Sequence, residues 1–148
     1  MTAGYLLDLF IINQVRKEKL GSKIGSEVKQ DLMKQDGHLL KEIGKMLIEV
    51  ADGKRPGTFA KHKVYDQGVG EMDNDNLILT LYKLYERHRE LWYLEDLRRD
   101  LNNSDRTRLD ACDRVSIANK KRNDLVENVD RIITNRFKQT KIWGTTAT

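Results

Sequence analysis

Proline is almost missing from these 148 residues, and Pro56 is the only one. With the commonest helix breaker confined to one place, long helices meet no covalent obstacle elsewhere. Cysteine is as scarce. Cys112 stands alone, so no internal disulfide can form and no Cys/His set has zinc spacing; a reducing, cytoplasmic compartment fits best. Long apolar runs are missing too. The nearest, from Tyr5 to Ile12, is interrupted by Asp8 and falls well short of the ~20 residues a membrane span needs. It has neither a basic leader nor a small-residue cleavage site, which argues against a signal peptide. Nor does one charge dominate: 27 basic residues face 23 acidic ones, for a net +4. That excess permits contact with nucleic acid without requiring it.

What is present describes a helical protein. Hydrophobic residues make up 39% of the chain and charged residues 34%, too apolar for a disordered chain and too charged for a membrane protein. The length suits one domain spanning 1–148. A first helix is expected from near Ala3 to Leu20, with Leu6, Leu9, Phe10, Ile12, Asn13, Arg16 and Leu20 on or beside one stripe. Gly21 and Ser22 supply a stop and a new start. A second helical region covers Ser26 to Ala51. Asp36-Gly37 either breaks it or, with Gly44, marks a close approach of another helix. A third helix is expected from Asn76 to about Asn102 and a fourth from Ser104 to about Phe137. The link Asn102-Asn103-Ser104-Asp105 has turn and N-cap chemistry, and so short a link lays the two helices antiparallel. The expected fold is therefore all-α: an antiparallel bundle of four to five helices with a long C-terminal helical hairpin, and a frayed tail over 144–148.

Residues 53–74 lack periodicity and hold four glycines, a long connection for a compact domain and so a candidate functional element. Lys54, Arg55, Lys61 and Lys63 make it basic, with Tyr65 nearby. Arg136, Lys138 and Lys141 beside Phe137 and Trp143 repeat that chemistry near the C-terminus. Cations beside stackable rings suit phosphates and bases, so a role as an RNA- or DNA-binding accessory protein stays open. Solubilising loops have the same composition, and no nucleic-acid-binding module is readable.

The seams of the last two helices carry the most informative pattern. The third places Leu77, Leu81, Leu84, His88, Leu91 and Glu95 at alternating spacings of four and three. The fourth does the same with Ala111, Val115, Ala118, Arg122, Leu125, Val129 and Ile132. His88, Glu95, Arg122 and the flanking Asn119 thus occupy core positions, where an unpaired polar group costs about 1–3 kcal/mol. Cys112 reads as a small core residue on the same seam. Equal helical rise predicts that residues at one height have numbers adding to about 206–207. His88, Trp92, Asn119 and Arg122 could then share one pocket, while Glu95 lies ~10 Å from His88 along its own helix. Two readings fit: a polar network that fixes helix register, or a ligand site in the core for a small metabolite or anion, lined by His88, Trp92, Glu95, Asn119, Arg122 and Asn123. Arg122 needs either a carboxylate from another helix, such as Glu42 or Glu49, or a ligand anion.

Enzyme templates fare poorly. No histidine completes a Glu-x-x-His pair, and Gly68-Val69-Gly70 lacks the rest of a phosphate loop. The pair Glu127 and Asp130, with Glu95-Asp96, is similar to the magnesium carboxylates of helical nucleoside-triphosphate pyrophosphatases, but their heights on the hairpin disagree. No cofactor and no metal are expected, and the balance leans away from an enzyme.

The segments from Leu91 to Arg99 and from Ala118 to Asp130 resemble a bacterial helical family catalogued as domain of unknown function 4254. Its pattern is a Leu-Trp and Glu-Asp segment on one helix, then Asn-x-x-Arg-Asn-Asp on the next. The resemblance covers about residues 77 to 133 and departs at Ala118, where leucine is expected. It implies Trp92, Glu95, Asp96, Asn119, Arg122, Asn123, Asp124, Glu127 and Asp130 as signature positions, and no settled activity. Taken together, these features lead to an expectation of a non-catalytic homo-oligomer or partner-binding protein, with no membrane contact. More long amphipathic faces are present than a small monomer readily covers.

Overall fold

Five side-chain and backbone caps mark where the helices start and stop. The computed structural model describes residues 1–54 and 76–146, with side chains as far as Lys138. Thr2 Oγ1 accepts from the Tyr5 N–H at 3.3 Å and opens α1, Ala3–Leu20. Gly21 closes it at φ +47°, where a side chain would be strained, and its N–H bonds back to the Lys17 carbonyl. After a single 3₁₀ turn, α2 runs unbroken over Ser26–Ala51. Asp36-Gly37 does not interrupt it. Asn76 Oδ1 accepts from the Leu79 N–H at 3.0 Å and opens α3, Leu77–Arg99. Ser104 Oγ accepts from the Thr107 N–H at 3.2 Å and opens α4, Asp105–Thr146. Asn103 serves the other side of that turn, donating to the Leu97 carbonyl at 3.1 Å and closing α3.

The fourth helix passes the end expected at Phe137, because no proline and no glycine before Gly144 stops it. Among the described residues there are four α-helices and no strand, so the chain is all-α. No helix among them is long and apolar enough to cross a membrane. Most of the long connection expected at 53–74, with Arg55, Lys61 and Lys63, lies outside the described residues, as does the end of the tail. Lys54 is exposed.

The last two helices run antiparallel in the expected register. Asn128 Nδ2 donates to Thr80 Oγ1 at 3.1 Å, and Arg108 Nε donates to the Arg98 carbonyl at 3.0 Å. The first of these bonds is fully buried. Helix α1 touches every other helix, whereas α2 packs on α1 and α4 and leaves α3 alone. Three apolar clusters follow from this arrangement. Ala3 and Leu6 meet Ile43, Met46, Val50, Val129 and Ile133 at one end. Ile11 and Val15 meet Leu84 and Leu125 in the middle. Leu91, Leu94 and Ala118 pack at the turn end, with no residue of α1 or α2 among them. Two helices alone bury only a narrow stripe, and Cys112, expected in the core, is exposed there.

The start of α1 is held by a polar contact. Asp130 Oδ1 accepts from the Gly4 N–H at 2.7 Å, one of the donors a helix start leaves unsatisfied. Glycine is needed at position 4, since a Cβ there would come within 2.6 Å of the Val126 carbonyl oxygen. Burial raises the Asp130 carboxyl to about 6, against the opposing pull of its bonds from Thr2 and Gly4; Glu127 adds to the rise and the amino terminus opposes it. An acid with a raised folded pKa holds its proton more tightly when folded. Its contribution therefore favours folding at low pH and is lost as pH climbs from the unfolded value through about 6. Asparagine keeps an acceptor for Gly4 and carries no charge. Asp130→Asn is expected to be more stable than wild type by about 2 kcal/mol at pH 8 and to show no such gain near pH 4, read by urea denaturation at the two pH values.

Candidate functional site

The polar seam opens into a cavity of about 330 Å³ between three helices. Its α3 wall carries His88, Leu91, Trp92, Glu95, Asp96 and Arg99; α4 contributes Asn119 and Arg122, and α1 closes the apolar side with Ile12 and Val15. The structure thus brings His88, Trp92, Glu95, Asn119 and Arg122 onto one surface. Asn123 is not part of that wall; its side-chain oxygen is 3.5 Å from an Arg122 terminal nitrogen.

The four polar groups differ in how well they are satisfied. His88 is buried, and its Nε2 lies 2.5 Å from Oδ1 of Asp8, which is buried as well. Asp8 comes from the apolar run at the start of the chain and was not among the expected site residues. A single carboxylate inside the most apolar stretch of a sequence signals a buried partner, because a lone buried charge is costly. With Nε2 engaged by Asp8, the ring is fixed in orientation on the cavity wall. Glu95 is half-buried and is answered within its own helix, by Arg98 Nη2 at 2.6 Å and by Arg99 Nε at 3.4 Å. Trp92 packs its ring beside the Ile11, Val15, Leu84 and Leu125 cluster, which gives the cavity a flat apolar floor.

Arg122 is the exception. Its Nε is buried and has no hydrogen-bond acceptor among the described residues. No carboxylate there pairs with it, and its side-chain partner is the distant Asn123 oxygen. Glu42 and Glu49, the partners considered from sequence, sit on α2, no residue of which lines the cavity, and neither bonds to Arg122. A guanidinium keeps its charge at ordinary pH and offers a planar fork of donors to carboxylate or phosphate. An enclosed donor of this kind is the feature the cavity leaves open.

The other carboxylates singled out from sequence do different work. Asp130 holds the start of α1, so the pair with Glu127 is not an open metal site. Among the described residues no three His, Cys, Asp or Glu side chains are grouped to hold a metal ion. No protein-family model, no curated protein and no solved structure matches the chain. What can be said of the site therefore comes from its geometry.

The Asp8–His88 pair joins α1 to α3 at the cavity and should couple in a mutant cycle. Asp8→Ala is expected to cost about 2–3 kcal/mol by leaving the ring without its acceptor. His88→Ala should cost a similar amount, and the double variant distinctly less than the two losses together. Urea denaturation of the three variants measures the coupling, and strict additivity would show that the contact carries no energy.

Proposed function

We propose that the chain folds as one antiparallel helical bundle around the α3–α4 hairpin and acts as a binding protein for a small carboxylate- or phosphate-bearing metabolite. The observation that carries this reading is Arg122: its buried Nε has no acceptor among the described residues, and it stands on the wall of a cavity large enough for a metabolite. His88 and Asn119 supply further polar contacts there, and Trp92 with Leu91, Ile12 and Val15 supplies a stacking and apolar surface. The resemblance to the family of unknown function, whose signature includes Trp92, Asn119 and Arg122, agrees with a site at this place. A single cysteine suits work in a reducing compartment.

Arg122→Met separates this reading from a purely structural network. Removing a charge that lacks a protein partner leaves the melting temperature unchanged or higher, and it abolishes the quenching or enhancement of tryptophan fluorescence by added acetate or inorganic phosphate. Breaking one side of a buried ion pair instead costs about 3–5 kcal/mol. A loss of that size in thermal melts, with unchanged anion response, contradicts the proposal.

A second reading, self-association, rests on α2. Met33, Leu40 and Ile48 are 66%, 53% and 63% exposed, and with Gly37 and Gly44 they form one stripe. A Cβ on either glycine would meet nothing within 4 Å, so packing within this chain gives no reason for them. Each costs about 1 kcal/mol relative to alanine in a helix interior. A face that lets another helix come close accounts for both. Light scattering is expected to give a dimer mass at tens of micromolar for wild type and a monomer mass for Leu40→Asp with its fold unchanged; a monomeric wild type removes this reading.

A further inference from the structure

The ring of His88 sets a second requirement on a ligand, beside the anionic group that Arg122 calls for. Asp8 approaches Nε2 at 2.5 Å, and both side chains are buried. An ionised carboxylate only accepts, so the proton of that bond sits on Nε2. In a neutral imidazole the other nitrogen, Nδ1, then keeps its lone pair and accepts. Nδ1 has no hydrogen-bond partner among the described residues, and it is not sealed inside the core. His88 lines the cavity, so the open acceptor belongs to that wall.

Arg122 and His88 stand on the same stretch of the wall. The bonds from Asn128 to Thr80 and from Arg108 to Arg98 fix the register of α4 against α3. They place Arg122 level with Tyr85, less than one helical turn (~5 Å) before His88. Asn119, level with His88, offers both a donor and an acceptor and suits either kind of partner. A plain carboxylate seated on Arg122 would leave Nδ1 facing an apolar chain, which wastes an acceptor already taken from water. A second carboxylate would set lone pairs against a lone pair. A hydroxyl supplies the missing proton without the desolvation cost of a second charge.

We infer that the site takes a hydroxycarboxylate, its carboxylate on Arg122 and its hydroxyl donating to Nδ1 of His88, with Asp8 as the positioning residue that fixes the ring. This inference rests on the binding role proposed for Arg122, and it adds the donor on the ligand. Isothermal titration calorimetry of the full chain compares hexanoate with 2-hydroxyhexanoate, 3-hydroxyhexanoate and the methyl ethers of both. One of the two hydroxy acids is expected to bind about tenfold more tightly than hexanoate, the scale of one hydrogen bond to a buried acceptor. Its methyl ether, which keeps the oxygen and loses the proton, should bind no more tightly than hexanoate. In ¹⁵N-labelled protein the His88 Nδ1 resonance should move upfield with that hydroxy acid and stay in place with hexanoate. Asp8→Asn, which lets the ring carry its proton on the other nitrogen, should shrink the advantage and leave hexanoate binding as it was. Arg122→Met should abolish binding of every carboxylate. The wild-type comparisons do not depend on either variant folding. If neither hydroxy acid binds better than hexanoate, the donor to His88 is wrong and the carboxylate site stands. If a methyl ether binds as tightly as its alcohol, Nδ1 is not the acceptor and the inference is overturned. If no carboxylate binds wild type, this inference and the binding role fall together.

Discussion

Helix α1 is the piece on which the cavity depends, and two buried polar contacts tie it to the α3–α4 pair. Asp8 meets His88 of α3, and the Gly4 N–H meets Asp130 of α4. Apolar packing is non-directional and would let an amphipathic helix slide or rotate on the α3–α4 surface at modest cost. A buried carboxylate opposite a buried ring nitrogen does not allow this, since displacement leaves both groups unsatisfied in a poorly solvating interior. With α1 pinned at these places, Ile12 and Val15 are delivered to the mouth of the polar seam, and the gap between α3 and α4 becomes a walled space.

That constraint also explains why the same seam is filled at one height and open at another. Thr80 and Asn128 satisfy each other inside the helix pair, and Leu84 with Leu125 closes the next layer completely. At the level of His88 and Asn119 the polar groups line the cavity or meet α1, and the buried Nε of Arg122 has no acceptor among the described residues. Natural cores rarely leave a buried donor unused, so each such group calls for an explanation. Under the binding role proposed for Arg122, an acceptor on its Nε–H adds stability by mass action as it binds.

Much of this was readable from residue order, for definable reasons. The limits at Gly21 and at Asn103-Ser104 were legible because capping is local and its chemistry is carried by single residues, whereas the caps Thr2 and Asn76 emerge only from the structure. The cavity residues followed from one register argument, since two helices joined by a short turn have little freedom along their axes. Other features needed a third helix and could not be placed. Asp8 and Asp130 act across more than seventy residues of sequence, so neither partner was visible locally. Asp36, a possible helix break by sequence, is instead a buried acceptor for Asn13 at 3.3 Å and Gln14 at 3.1 Å, and it also pairs with Lys17. Cys112 was misplaced because the flank of a seam is buried only where another helix covers it, and no α1 or α2 residue joins the cluster at the turn end.

The claim at the centre of this account is that Arg122 is held for an acceptor the protein itself does not provide. The Nε–H resonance of Arg122, assigned by its disappearance in Arg122→Lys, reports on that group directly in ¹⁵N-labelled protein. The account predicts a signal outside the hydrogen-bonded range in the free protein that moves downfield and saturates as hexanoate is added. A signal already at a carboxylate-bonded position, unmoved by any added carboxylate, would contradict it.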